Sequence, residues 1–176
     1  GRSASNSYPI ARELDFPGRY AVASNGAVRY RYDSDKYEVE DIESFDPAPV
    51  LNRLIEVIPD AHFAVEDLDG SYRFHKPFPT YALGEENFET PLEELLHHPV
   101  SRVVVLSPSH DVDEFLGLMK KIGLHSVSYS IGYTAWLDIA PDGVDKGHGL
   151  ERLRSILDID PTRVITIGDG RNDIEM

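Results

Sequence analysis

The feature that most constrains this sequence is an apolar run, Val164 to Ile167, that leads directly into the loop Gly168-Asp169-Gly170-Arg171-Asn172-Asp173. A short segment without polar alternation is typical of a strand that is buried on both faces of a parallel sheet. Ligands in such folds collect at the carboxyl ends of the strands. The pattern therefore predicts a buried strand over 163–167 with Asp169 and Asp173 at a ligand-binding edge.

Two carboxylates four residues apart on a strand-to-helix loop can share one hard cation. Mg²⁺ usually takes only a few carboxylates and completes its octahedron with water and phosphate oxygens. Gly168 and Gly170 allow the backbone to bend there. The alternative interpretation is a helix cap, in which Asn172 or Asp173 accepts hydrogen bonds from free N–H groups at the start of a following helix.

Lys146 lies in the segment Gly143-Val144-Asp145-Lys146-Gly147, at a predicted helix start and one helix–strand unit before the acidic loop. A fixed cation there could neutralise a nucleophilic carboxylate and a bound phosphate together. An isolated lysine at a helix start is more often only solvated. It is the combination with the acidic loop that favours a functional role.

The amino-acid composition excludes several classes of function for this protein. The 176 residues include 41% hydrophobic ones, enough for one sizeable core or two small ones, and 31 acidic against 17 basic residues give a net charge of -14, which opposes binding to nucleic acid. The absence of cysteine excludes a disulfide framework, a thiolate zinc site and a cysteine nucleophile. It also fits a reducing compartment, so we expect a cytoplasmic protein. No apolar run approaches the roughly 18 residues that span a bilayer, and we expect no membrane partner.

The spacing of the apolar residues predicts that the chain contains both helices and strands. Strand, helix, strand and strand follow one another between residues 103 and 139, an order that can pack a helix on one face of a small antiparallel sheet. The predicted helices are 3–14, 47–58, 115–122 and 149–157, and the predicted strands are 20–23, 28–32, 62–66, 71–75, 103–106, 127–130 and 135–139.

The segment around Lys146 and the segment from Val164 to Met176 resemble the third and fourth motifs of Cof-type phosphatases of the haloacid dehalogenase superfamily. The stretch Ala23-Ser24-Asn25-Gly26-Ala27 is similar to the Ser-Asn-Gly-Ala stretch that follows the second motif of that family, and Gly1-Arg2-Ser3 is similar to the tail of that motif. The resemblance implies an α/β fold with a partial Rossmann-like core, residues 1–46 and 141–176, interrupted by an inserted α/β cap of the C2 type, residues 47–140.

The same resemblance implies a Mg²⁺-dependent phosphatase that hydrolyses a small phosphorylated metabolite through an aspartyl-phosphate intermediate. Mg²⁺ is the implied cofactor and the metabolite the implied partner. The roles implied are metal binding by Asp169 and Asp173, charge neutralisation by Lys146, and phosphate or substrate binding by Asn172, Asn25 and Arg2.

The sequence departs from the family at its start. Members begin with a strand that ends in Asp-x-Asp-Gly-Thr and supplies the nucleophile, and no such motif lies near residue 1. We therefore expect a chain truncated at both ends, with the nucleophile outside it and no turnover on its own. The segment Asp67-Leu68-Asp69-Gly70-Ser71 fits the motif by its letters, but the alternating segments on either side of it favour a hairpin turn.

Two other functions stay open at this point. A non-catalytic binding or interaction domain with a structural cation site would explain the missing nucleophile without truncation. A phosphomutase on the same scaffold would carry the same motifs.

Overall fold

The structure, a computed structural model, describes residues 2–14, 18–80, 82–123, 127–131, 135–170 and 173–176. The described chain divides into two compact units. The first unit combines Gly1–Glu43 with Gly143–Met176, and the second is the intervening Ser44–Asp142. The division predicted from sequence has its boundaries after residues 46 and 140.

Both units contain helices and strands. The α-helices among the described residues are α1 (Ala4–Leu14), α2 (Ala48–Val57), α3 (Val112–Ile122) and α4 (Lys146–Ile156). The strands are β1 (Tyr20–Ala23), β2 (Val28–Tyr32), β3 (Tyr37–Ile42), β4 (His62–Glu66), β5 (Tyr72–Phe74), β6 (Asn87–Glu89), β7 (Arg102–Leu106), β8 (Val127–Ile131) and β9 (Trp136–Pro141). Short 3₁₀ turns cover Ser24–Gly26, Leu92–Leu96 and Pro161–Arg163.

The first unit is built on the antiparallel sheet β1-β2-β3. Buried Tyr30 points to α1, where its hydroxyl lies 2.8 Å from the Ser7 hydroxyl. Since side chains alternate between the faces of a strand, neighbouring Arg29 lies on the opposite face together with its cross-strand partners Val22 and Asp41. Helix α4 packs on that second face.

Two glycines bring α4 against the turn that joins β1 to β2. A Cβ on Gly149 would lie 2.6 Å from Val22 Cγ1 and 2.7 Å from the Gly26 Cα, and a Cβ on Gly26 would lie 1.9 Å from the carbonyl oxygen of Asp145. Gly26 also has a φ of +106°, which side-chain-bearing residues rarely adopt. The start of α4 is therefore in backbone contact with the turn.

The predicted strand over 163–167 is wrong in this structure. Residues 161–163 form a 3₁₀ turn, and 164–168 belong to no strand. The side chains of Ile165 and Ile167 are 90% and 91% exposed. A strand is held by hydrogen bonds to a neighbouring strand, and among the described residues none lies beside this segment.

The second unit is a six-stranded sheet in the order β6-β5-β4-β7-β9-β8, antiparallel except for the parallel pair β5–β6. Helices α2 and α3 pack on one face of it, as the sequence predicted for a helix on a small antiparallel sheet. The core there joins helix residues to alternate strand residues: Leu51, Leu54, Phe115, Met119 and Ile122 from the helices, and Phe63, Val65, Val103, Val105, Leu137 and Ile139 from the strands.

A buried polar network lies on the other face of this sheet. Glu66, the direct cross-strand partner of both Tyr72 and Arg102, accepts hydrogen bonds from the Tyr72 hydroxyl at 2.8 Å and from Arg102 Nε at 2.9 Å. All three residues are less than 5% exposed. Asp138 on β9 lies 3.5 Å from the same guanidinium. The buried charges are thus paired with one another rather than left isolated.

The prediction of a hairpin turn at residues 67–70 is confirmed. β4 and β5 are antiparallel neighbours, and the Gly70 N–H donates to the Asp67 carbonyl oxygen at 2.9 Å. The Asp67 carboxylate binds the guanidinium of Arg73, and the Asp69 carboxylate accepts from the Ser71 N–H and hydroxyl. Both carboxylates therefore stabilise the hairpin by accepting hydrogen bonds from its own residues.

In the part of the chain that the structure describes, no helix is both long and apolar enough to cross a bilayer.

Replacing Gly149 by alanine tests the close approach of α4 to the turn. Glycine to alanine inside a helix ordinarily stabilises by roughly 0.5–1 kcal/mol. At Gly149 the added methyl group meets Val22 and the backbone of Gly26, so we expect Gly149→Ala to destabilise by about 1–3 kcal/mol, as overpacking does. The measurement is denaturant unfolding followed by far-UV circular dichroism.

The matched control is Gly117→Ala in α3, where a Cβ would meet nothing within 4 Å. That variant should be as stable as the wild type or more so. Equal stabilisation by both substitutions would contradict the backbone contact between Gly26 and Gly149.

Candidate functional site

The start of α4 is fixed by a side-chain cap. Asp145 is the N-cap residue, and its carboxylate accepts a hydrogen bond from the His148 N–H at 2.7 Å. Such a cap satisfies one of the N–H groups that the first turn of a helix leaves unpaired. Lys146 is therefore the first residue of the helix, on the turn that contacts Gly26.

Lys146, at the start of α4, forms an ion pair with Asp173 of the acidic loop. Its ammonium group donates to Asp173 Oδ1, and the two side chains are 21% and 11% exposed. The hydrogen bond from Lys146, followed by that from the Gly170 N–H, holds the pKa of Asp173 below its ordinary value. At neutral pH Asp173 is therefore ionised.

Asp173 also closes the acidic loop on itself. Its Oδ2 accepts from the Gly170 N–H at 2.8 Å and from the Asp169 N–H at 3.1 Å. Gly168 is packed so closely that a Cβ there would lie 2.2 Å from the Asp173 Cβ. Asp173 does bind backbone N–H groups, but they belong to the preceding loop rather than to a following helix. One carboxylate thus organises the loop and holds the lysine.

The turn between β1 and β2 is strained. Ser24, Asn25 and Gly26 all have positive φ, at 51°, 55° and 106°. This conformation is costly for residues other than glycine and often marks a functional site. Asn25 is only 8% exposed, and its Oδ1 has no hydrogen-bond donor among the described residues. A buried acceptor without a donor is unfavourable unless a ligand or another group supplies one.

The predicted site residues that the structure describes lie on four segments of the first unit. Lys146 and Asp173 are in direct contact, and Asp169 lies in the loop that Asp173 closes. Asn25 precedes the glycine that contacts the start of α4. The carbonyl oxygen of Arg2 accepts from the Ser24 N–H at 2.7 Å, and the Arg2 side chain is exposed. Asn172 lies outside the described residues.

The donor set fits Mg²⁺ binding through few protein ligands. The Asp169 side chain is exposed, and no described residue donates to its carboxylate. Both oxygens of Asp173 already have partners. No cluster of three or more acidic or histidine side chains that could hold a metal exists among the residues described. A site with one or two carboxylates, completed by water and phosphate, is the arrangement that Mg²⁺ usually adopts.

Sequence reasoning missed a second set of polar residues around α4. Glu43 on the strand side contacts His148 and Arg152 on the helix, and Asp145 caps it. An aspartate just before a helical pattern is a recognisable N-cap signal. No sequence signal could have found the pairing of Glu43 with His148, because more than a hundred residues separate them.

Comparison with known proteins identifies the family to which the chain belongs. The family model of haloacid dehalogenase-like hydrolases matches residues 1–176, so the chain belongs to this family. The predicted family and the α/β fold class are both confirmed. The structure is similar to a haloacid dehalogenase-like hydrolase from Bacteroides thetaiotaomicron, with a TM-score of 0.74 and 20% identity over 99% of this chain and 68% of that one. At this identity the likeness is one of fold.

Two relatives are similar in sequence. The 5-amino-6-(5-phospho-D-ribitylamino)uracil phosphatase YitU of Bacillus subtilis is 25% identical over 129 residues, which cover 72% of this chain and 46% of that protein. The chloroplastic endoribonuclease YBEY of Arabidopsis thaliana is 48% identical over 40 residues, 23% of this chain and 7% of that protein. The chain thus spans less than half the length of either relative.

The pairing of Asp173 predicts a defined pH dependence of stability. Because the pKa of Asp173 is lowered in the folded state, its contribution is fully present above the ordinary value of 3.8 and is lost as the pH falls through the lower folded pKa. The free energy of unfolding of wild type and Asp173→Asn should therefore differ most from neutrality down to about pH 5 and converge as the pH falls further.

The control is Asp35→Asn, which replaces an exposed aspartate in the β2–β3 turn and should change the free energy of unfolding little at neutral pH. Denaturant titrations from neutral to acidic pH provide the measurement. A gap between wild type and Asp173→Asn that stays constant with pH would show that the Lys146–Asp173 pair does not form.

Proposed function

We propose that this chain forms part of a Mg²⁺-dependent phosphatase that hydrolyses a small phosphorylated metabolite, with an aspartate nucleophile contributed by a segment outside the chain. The observation that carries the proposal is the Lys146–Asp173 pair, which holds a partly buried ammonium group beside a loop whose other carboxylate, Asp169, is exposed. A cation and a metal-competent carboxylate on neighbouring segments are suited to phosphoryl transfer, where catalysis is mainly positioning and charge stabilisation.

Lys146 would supply the fixed positive charge. Its ammonium group would neutralise the attacking carboxylate and the phosphate oxygens as charge builds up on them. Asp173 would keep that ammonium group in place without becoming protonated, because its pKa is lowered. The lysine has four rotatable bonds, so a partner that fixes its far end reduces the entropy lost when it acts.

Asp169, and less directly Asp173, would hold Mg²⁺, which when bound supplies Lewis-acid polarisation of a phosphate oxygen. Asn25 would bind the substrate next to its phosphate, since its buried amide oxygen has no donor among the described residues. Asn172 and Arg2 complete the proposed phosphate-binding set. The assignment of residues 1–46 and 141–176 to a core and of 47–140 to a substrate-selecting cap belongs to the same proposal.

The exposed apolar segment supports a nucleophile from elsewhere. Ile165 and Ile167 present apolar surface to solvent immediately before Asp169. Isoleucines at such exposure are unfavourable unless another element covers them. We propose that the segment carrying the nucleophilic aspartate covers this apolar surface in the intact protein. A carboxylate nucleophile would split the hydrolysis into two displacements, formation and hydrolysis of an aspartyl phosphate. This chain alone is then expected to be inactive.

The name of the Bacillus subtilis relative supports the substrate class, since that protein is a phosphatase of a phosphorylated small molecule. The acidic net charge of -14 also favours a small substrate over a polyanion.

A second function is favoured by one observation. Both Asp173 oxygens accept hydrogen bonds within the unit, so this carboxylate itself holds the loop together. That arrangement suits a non-catalytic binding domain, in which the loop is structural. A phosphomutase would share the phosphatase site and differ in its products. A screen of the full-length protein against phosphate esters, with and without Mg²⁺, separates these three functions.

Asp169→Asn in the full-length protein should remove most Mg²⁺-dependent phosphatase activity, by at least about tenfold, because a neutral amide binds the cation more weakly. Folding should be retained, since this side chain is exposed. The assay is turnover of an aryl phosphate across a Mg²⁺ titration, with Asp35→Asn as the matched control. Wild-type rates in Asp169→Asn would remove the main support for a metal-dependent phosphatase.

Lys146→Ala should lower turnover at every Mg²⁺ concentration. The loss arises from missing charge neutralisation rather than missing metal, so additional Mg²⁺ should rescue Asp169→Asn in part and Lys146→Ala not at all. Lys36→Ala, which removes an exposed lysine from the β2–β3 turn, is the control for lost positive charge. Full recovery of Lys146→Ala at high Mg²⁺ would contradict the role given to the lysine.

A further inference from the structure

Glu43 joins the sheet of the first unit to helix α4. Its Oε1 accepts from His148 Nε2–H at 2.7 Å and from the guanidinium of Arg152. Its own N–H donates to the Ala27 carbonyl oxygen at 2.8 Å. The carboxylate is therefore attached through its backbone to the sheet and through its side chain to the helix.

The two helix residues that Glu43 contacts are one turn apart on α4. Side chains at this spacing lie on the same face of a helix. Arg152 also binds Asp41 at 2.7 Å, and Asp41 lies two residues before Glu43 on the same face of the chain. We call Glu43, Asp41, His148 and Arg152 the α4 clamp. Contacts at two successive turns resist rotation of the helix as well as translation.

Through His148 the clamp reaches the catalytic lysine. The backbone N–H of His148 binds the Asp145 cap, and its side chain binds Glu43. Lys146 lies between the cap residue and His148, so the position of its Cα depends on both contacts. Its ammonium group is held separately by Asp173.

The charges of the clamp are consistent with this role. Burial would raise the pKa of Glu43, but the hydrogen bonds from His148 and Arg152 outweigh it and lower the pKa overall. The side chains of Glu43, His148 and Arg152 are 29%, 36% and 40% exposed, so solvent screens their attraction and limits its effect on global stability. A screened contact can still select one orientation of a helix.

We infer that Glu43 is a positioning residue for Lys146, acting through His148 and Arg152. Glu43 is the last residue before the chain leaves the first unit, and α4 begins three residues after the chain returns at Gly143. The clamp thus ties the departing strand to the helix that carries the lysine. The inference rests on the proposed function for its catalytic consequence, whereas the structural link can be tested without it.

The experiment compares Glu43→Gln, Arg152→Gln and the double variant of the full-length protein. Glu40→Gln is the matched control, because Glu40 lies on β3, three residues before Glu43, but pairs with Arg29 and Arg31 rather than with α4. The first readout is amide hydrogen exchange of the first turn of α4, residues 146–150, relative to β2. The second is kcat and KM for an aryl phosphate at saturating Mg²⁺.

Each single variant should speed exchange in the first turn of α4 and leave β2 unchanged. Each should also lower kcat by about tenfold, since small displacements of a catalytic group are costly, with KM changed by less than about twofold. The double variant should lose less than the sum of the two single variants, because the Glu43–Arg152 contact is removed in all three. Glu40→Gln should match the wild type.

Unchanged exchange and unchanged kcat in Glu43→Gln would overturn the inference, as would equal effects of Glu40→Gln. If Glu43→Gln does not fold, Arg152→Lys takes its place, because it keeps the charge and loses the guanidinium geometry. If the wild-type protein lacks phosphatase activity, the proposed function fails while hydrogen exchange still decides whether the clamp holds α4.

Discussion

The contact between α4 and the Ser24–Gly26 turn is the constraint on which the site depends. Gly26 and Gly149 let the two backbones meet where any side chain would separate them. This contact sets where α4 begins, and therefore where Lys146 can reach. The ion pair with Lys146 positions Asp173, and the hydrogen bonds that Asp173 accepts from the backbone hold the acidic loop. A chain of short-range contacts thus leads from a glycine pair to the residues proposed to act on phosphate.

Much of the local structure could be predicted from the sequence. The alternation of apolar residues on both sides of Asp67–Gly70 predicted the hairpin, and three- and four-residue spacing predicted the helices that became α2 and α3. These signals are local, because a strand or an amphipathic helix records in its own residues which side it buries. The motifs around Lys146 and Asp169 likewise identified the family, since they are continuous in sequence.

The features that could not be predicted from the sequence depend on contacts between residues that are far apart in the chain. The apolar residues 164–167 read as a buried strand, but burial requires neighbouring strands, and among the described residues none is present. Asp173 was expected to be a metal ligand or a helix cap, and its engagement with Lys146 depends on the packing of α4. The α4 clamp joins β3 to a helix beyond the whole second unit. Contacts between residues far apart in the chain produce no periodic pattern in the sequence, so they cannot be predicted from it.

The network of Glu66, Tyr72 and Arg102 bears on how the second unit avoids misfolding. Sliding one strand by two residues keeps every apolar side chain on its proper face, so hydrophobic patterning alone does not distinguish that error from the native pairing. The same slip of β4 moves Glu66 away from Arg102 and leaves a buried carboxylate uncompensated, at a cost of about 3–5 kcal/mol. The buried ion pair therefore adds an energetic preference for the native strand alignment to the one that burial of apolar side chains supplies.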